Sequence, residues 1–144
     1  MNRIKVIFIS LLILLQISCT PTFVSVDELR TKHDGAYEFQ IQKNLSDTYS
    51  NVIVKARQCW AEESSFIPLA KEVVGDYKEA AKTAGITLQI RQTEKNWVNT
   101  FLQIDMQTKE KGVTHITVYH QGFGFRNHGK LIEKWLKEGN SECD

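Results

Sequence analysis

Three cysteines and four histidines carry most of the chemistry available to this chain: Cys19, Cys59 and Cys143, and His33, His115, His120 and His128. Thiolates and imidazoles bind metals, attack electrophiles or move protons, but only in defined constellations. His115 and His120 stand five apart on a segment of strand character, so they point to opposite faces and cannot chelate one ion from that strand. His128 stands three before Leu131, on the apolar side of a helical segment, where a capping or core histidine is expected. His33–Asp34 reads as a solvated pair, and Glu62–Glu63 as the exposed end of a helix. No two carboxylates are set at a defined separation for acid–base work. Phosphate loops, His-Glu-x-x-His, Gly-x-Ser-x-Gly and Cys-x-x-Cys are all missing from the sequence. Two distant cysteines offer too few soft ligands for a metal centre. The residues therefore point to a protein that is not an enzyme, with no catalytic residue, cofactor or metal.

The first nineteen residues are the most specific signal. Arg3 and Lys5 open them, the apolar run Val6–Ile17 is twelve residues long, and Ser18 precedes Cys19. A membrane-spanning helix needs about 20 apolar residues, so this run reads as a secretory signal rather than a permanent anchor. It resembles the signal of a bacterial lipoprotein. The resemblance implies that residues 1–18 are removed and that Cys19 is diacylated on sulfur and acylated on its new amino group. Two or more acyl chains anchor a protein stably in a membrane. The family prefers Leu three places before the cysteine and a small residue two places before it. Here Gln16 and Ile17 hold those places, so ordinary cleavage to a soluble periplasmic form remains the alternative. Thr20, rather than the Asp that signals inner-membrane retention in such proteins, implies the outer membrane, facing the periplasm.

Cleavage before Cys19 would leave 126 of the 144 residues, one domain by size. It would also remove Arg3 and Lys5, leaving 16 basic against 17 acidic residues, a net charge of −1. A near-neutral chain with interspersed signs has no electrostatic footprint for nucleic acid. With Cys19 committed to lipid, Cys59 and Cys143 remain, and an oxidising compartment allows them one intramolecular bond. Two free thiols are the alternative.

Residues 19–34 read as the lipidated cysteine followed by a short irregular tether, and 35–144 as one domain. Tyr37, Phe39 and Ile41 alternate with polar residues and predict a strand over Ala36–Lys43. Ser46 or Asp47 is expected to cap a helix whose stripe is Tyr49, Val52, Ile53, Ala56 and Trp60. In Ser64–Gly85 the spacing of Leu69, Val73, Tyr77, Ala80 and Ala84 favours a helix stopped by Gly85, with a hairpin carrying a strand over Glu72–Lys78 as the rival; the family resemblance described below favours the hairpin, which we adopt. Strands follow at Ile86–Arg91, Trp97–Gln107 and Val113–Gln121, separated by short connections, which implies an antiparallel meander. Asn127 is expected to cap a last helix, His128–Glu138, ended by Gly139. The predicted fold is α+β: an antiparallel sheet of four to five strands with two helices on one face, in the order strand, helix, meander, helix.

The export cysteine, the early strand, the helix with Tyr49 near its start and Cys59 near its end, and the meander together resemble the small uncharacterised lipoproteins of Gram-negative bacteria. The arrangement is also similar to helix-grip domains, including those in lipoproteins of outer-membrane assembly. The resemblance implies a fold and a compartment, and carries no catalytic residue onto this chain.

One surface invites a functional hypothesis. If the helices cover Leu88, Ile90, Leu102, Ile104, Ile116 and Val118, strict alternation turns Trp97, Phe101 and Tyr119 to the other face, with Arg91, His115 and Thr117. Aromatics on a solvated sheet face suggest an interaction patch for a protein partner. Gly122-Phe123-Gly124-Phe125-Arg126 would either open a mouth at the strand end or turn the chain into the last helix. The expected function is a non-enzymatic cell-envelope lipoprotein that binds another protein. A carrier with an apolar cavity between sheet and last helix, holding a small apolar ligand or lipid, is the alternative.

Overall fold

A computed structural model describes residues 24–63, 69–92, 94, 97–139 and 142–143. The expected signal, Cys19 and the tether as far as residue 23 lie outside these residues. The elements run α1 (Val26–Lys32), β1 (Gly35–Ile41), α2 (Leu45–Trp60), β2 (Glu62–Glu63), β3 (Leu69–Lys78), β4 (Thr83–Gln92), β5 (Trp97–Glu110) and β6 (Val113–His120), then a 3₁₀ turn (Phe123–Phe125) and α3 (His128–Glu138). Five long strands form one antiparallel sheet in the order β1-β6-β5-β4-β3, with the two-residue β2 at the β3 edge. The fold is α+β. Among the described residues, no helix is long and apolar enough to cross a membrane.

Of the stretch expected to be either helix or hairpin, residues 64–68 lie outside the described residues, and the rest, from Leu69, is a hairpin. Leu69–Lys78 and Thr83–Gln92 pair antiparallel through the turn at residues 79–82, where Lys82 takes a positive φ of 52°. Gly75 sits mid-strand because α2 passes directly over it. A Cβ there would lie 2.1 Å from the Tyr49 hydroxyl and 3.0 Å from Ile53 Cδ1.

Helices α2 and α3 cover one face, called here the first. Val52, Ile53, Ala56 and Trp60 of α2 and Ile132, Trp135 and Leu136 of α3 pack on Ile86, Leu88, Leu102, Ile104, Met106, Ile116 and Val118. The cap of α2 is Asn44 rather than Ser46 or Asp47: its Oδ1 accepts from Asp47 N at 2.8 Å. Asn127 occupies the N-cap of α3 without a side-chain bond, and Gly139 (φ 66°) ends that helix in the left-handed conformation. Lys43 Nζ donates to the Leu136 carbonyl near the α3 C-terminus at 2.8 Å, a favoured place for a cation.

Two expectations are corrected. The tether is not irregular throughout, because α1 occupies Val26–Lys32; the helices number three and the first precedes β1. Nor do all helices share one face. Helix α1 crosses the second face over β5 and β6, with Leu29 fully buried. Ser25 caps it by accepting from Glu28 N at 3.2 Å, Asp27 and Glu28 lie in its first turn, and Arg30 and Lys32 in its last. Seven residues with one buried apolar side chain give no readable periodicity, and a helix this short does not persist alone. It exists because the sheet supplies the other half of its contacts.

Cys59 and Cys143 form a disulfide that closes 84 residues of chain, Cα to Cα 5.2 Å. Trp135 Nε1 also donates to the Glu142 carbonyl at 2.7 Å, so the C-terminal tail is held twice. The chain-entropy model assigns the bond about 4–5 kcal/mol, an upper value. Reduction is therefore expected to lower the urea midpoint in the wild type and to leave a Cys59→Ser/Cys143→Ser variant unchanged. A Cβ on Gly129 would lie 2.5 Å from Tyr37 Cβ, where α3 touches β1. Gly129→Ala should thus cost about 1–2 kcal/mol in urea unfolding, overpacking outweighing the gain of about 1 kcal/mol in helix propensity.

Candidate functional site

The second face is polar, and α1 turns part of it into a groove of about 680 Å³. Odd-numbered residues of β4, β5 and β6 floor it together with Val74, Asp76 and Lys78 of β3, and Val26, Asp27 and Arg30 form one wall. A chain of hydrogen bonds crosses it. Thr87 Oγ1 donates to Gln103 Oε1, and Gln103 Nε2 donates to Asp105 Oδ1 at 2.8 Å. Arg30 then clamps Asp105 with two bonds, Nε to Oδ2 at 2.7 Å and Nη2 to Oδ1 at 2.8 Å, and its Nη1 reaches Asp27 at 3.0 Å. A paired Arg–carboxylate fork fixes orientation as well as distance. Three donors, two from Arg30 and one from Gln103, thus hold the Asp105 carboxylate.

Tyr119 lies on this face as expected, half-buried, its ring 5.3 Å from that of His33 just beyond α1. His115 and Thr117 line the groove beside it. The Nε2 of His115 is buried with no hydrogen-bond partner among the described residues. His120 points to the opposite face, where a Cβ on Gly35 would meet its Nε2 at 2.5 Å. Arg91 belongs to the second face but is engaged: its Nε lies 3.0 Å from both carboxylate oxygens of Glu72, which also accepts from Gln89.

Trp97 and Phe101 are not beside Arg91 and Tyr119. The pairing of β4 with β5 shifts between Leu88 and Gln89: Leu88 faces Leu102, but Gln89 faces Thr100. Phe101 is the extra residue of a β-bulge, and parity inverts on either side of it. Trp97 therefore pairs with Gln92, on the parity of Leu88 and Ile90, and Val98 takes the place opposite Arg91. The Phe101 ring turns under the helices and stacks on Phe125, centroids 5.5 Å apart. Two large apolar neighbours, Phe101 and Leu102, inside an otherwise alternating strand were the available sign of this break. The patch of Trp97, Phe101 and Tyr119 with Arg91 expected from strict alternation is thus not assembled.

What forms instead on the first face is an aromatic cluster. His128 packs between Trp60 and Phe125, at 4.9 and 5.1 Å, and Trp60 meets Trp135 at 5.1 Å. This is the core role expected of His128. An apolar pocket of about 180 Å³ lies among Trp60, Leu88, Ile90, Phe101, Phe125 and His128, beside the disulfide at Cys59. Among the described residues, no group of three or more His, Cys, Asp or Glu side chains is placed to hold a metal ion.

Compared with known proteins, the chain matches no family profile and no curated protein sequence.

Two carboxylates are tuned by their surroundings. Burial pushes the Glu72 carboxyl up, but hydrogen bonds from Gln89 and Arg91 and the Arg91 charge outweigh it and hold the group below its usual range. Hydrogen bonds from Lys137 and Tyr37 hold Glu133 low as well, against the opposing effect of burial. Depressed folded-state values stabilise the protein above the ordinary carboxylate value of about 4.3, and that contribution is lost as pH falls through the lower folded values. Urea midpoints should decline in acid below about pH 4.5, and a Glu72→Gln/Glu133→Gln variant should show a shallower decline from a lower neutral-pH value.

Proposed function

We propose that this chain is a non-enzymatic cell-envelope lipoprotein, held by lipid on Cys19 at the periplasmic face of the outer membrane, whose second-face groove seats a segment of an envelope protein. The observation that carries the reading is the groove itself. It is concave, lined by donors and acceptors from four strands, and walled by a helix that a two-pronged Arg30–Asp105 contact holds in place. Fixed polar groups of this kind suit recognition of backbone and polar side chains at an interface. The side chains that cross the groove, Thr87, Gln103, Asp105 and Arg30, are bonded to one another. The alternative of an apolar-ligand carrier draws less support, because the pocket under the helices, at about 180 Å³, is smaller than the roughly 300–1,000 Å³ of typical ligand sites. The lipoprotein reading rests on the sequence around Cys19 and on its resemblance to a lipoprotein signal.

Two measurements test this reading. Metabolic labelling with palmitate should mark the wild type and not a Cys19→Ser variant; an unlabelled wild type would remove the anchor. Formaldehyde crosslinking in intact envelopes should give a discrete adduct that Thr117→Arg, a cation placed in the groove, weakens about tenfold, a change of about 1.4 kcal/mol. An undiminished adduct from a folded Thr117→Arg protein would rule out the groove.

A further inference from the structure

We propose that the turn carrying Phe123 contacts the lipid bilayer, an inference that rests on the Cys19 anchor proposed above. Phe123 is 92% exposed, the most exposed large apolar side chain among the described residues. It is nonetheless presented by an ordered turn. Gly122 takes a φ of 84° and donates its N–H to Asp34 Oδ2 at 2.6 Å, Phe125 N and Arg126 N close the 3₁₀ turn, and Phe125 is pinned inward on Phe101. The ring of Phe123 is therefore held out rather than merely loose.

The path of the chain says which way this turn faces. Beyond the end of β6, Gln121 N still donates to the Phe101 carbonyl of β5 at 2.9 Å. The next place along that same edge is taken by Val24: its carbonyl accepts from Thr100 N at 3.0 Å, and its N–H donates to Asn99 Oδ1 at 2.9 Å. The residue at which the tether enters the domain and the residue leading into the Phe123 turn are thus neighbours on one strand edge. Five residue steps separate Cys19 from Val24, and a fully extended chain covers at most about 3.6 Å per step, or roughly 18 Å. Acyl chains on Cys19 then bring this end of the domain to within about 18 Å of the bilayer surface. An exposed aromatic ring between two glycines, followed in the same turn by the exposed cation Arg126, has the composition of an interfacial contact with anionic lipid. A membrane surface is the occupant we commit to; a protein partner is an outcome of the test.

The full chain, expressed in its envelope with p-benzoylphenylalanine in place of Phe123, is irradiated, and adducts at that position are identified by mass. The same residue in place of Val54, 52% exposed on α2, is the reference. The N-terminal peptide is weighed in the same samples to read the state of Cys19. If the peptide is acylated, phospholipid adducts about tenfold more abundant at 123 than at 54 are expected, since groups in the headgroup–acyl boundary meet hydrocarbon and groups in water do not. An acylated peptide with no lipid adduct at 123, or with a protein adduct there instead, overturns the membrane contact and leaves the anchor standing. An unacylated peptide overturns the anchor and, with it, the placement of this end at the bilayer.

Discussion

Strand β5 has to serve two chemically different faces, and the one-residue bulge at Phe101 is the constraint from which both follow. On one side of the bulge, Leu102, Ile104 and Met106 point into the core with almost no exposure. On the other, Thr100 takes the place opposite Gln89 on the polar face. Phe101 is the residue left over, and it joins Leu102 under the helices. Unbroken alternation would place a phenyl ring on the polar face and a threonine in the core. The bulge avoids both, and it adds Phe101 to the cluster of Phe125, His128, Trp60 and Trp135 on the first face. Bulges re-aim side chains at strand ends; this one keeps the Phe101 ring off the polar face.

The second face illustrates how a polar surface can still hold a helix. Exposed ion pairs are individually worth little. Asp105, however, receives two bonds from Arg30 and one from Gln103, which in turn is bonded to Thr87, so the network spans α1, β5 and β4. Gln103 is almost fully buried and both ends of its amide are satisfied, which removes the cost of burying it. Leu29 supplies the apolar contact. The helix and the network depend on each other: without α1 there is no groove, and without Asp105 there is little to orient α1.

Both ends of the described chain are secured to the sheet-and-helix body. Val24 completes an edge of β5, and the C-terminal tail is fixed to α2 by the Cys59–Cys143 disulfide and to α3 through Trp135.

Sequence alone sufficed wherever the period of apolar residues survived folding. The α2 stripe, the last helix with Gly139 behind it, the meander and the α+β class were all readable, because burial of one face imposes a period of 3.6 or 2 that the residues must obey. The pairing of Cys59 with Cys143 was open to arithmetic, since few thiols leave few partners. The hairpin over Leu69–Gln92 was only half legible: Leu69, Val73, Tyr77 and Ala80 fit a helix slightly better, and pairing with β4, which a helical period cannot report, settled it. Tertiary structure alone decided the rest of the candidate site. Helix α1 carries one buried leucine and owes its existence to groups 75 residues away, Asp105 above all. The register shift at Phe101 moved Trp97 and Phe101 off the face where strict alternation placed them. Local pattern reports which residues must be buried; where alternation breaks, and which polar groups then meet across strands, is set by the fit of distant elements to one another.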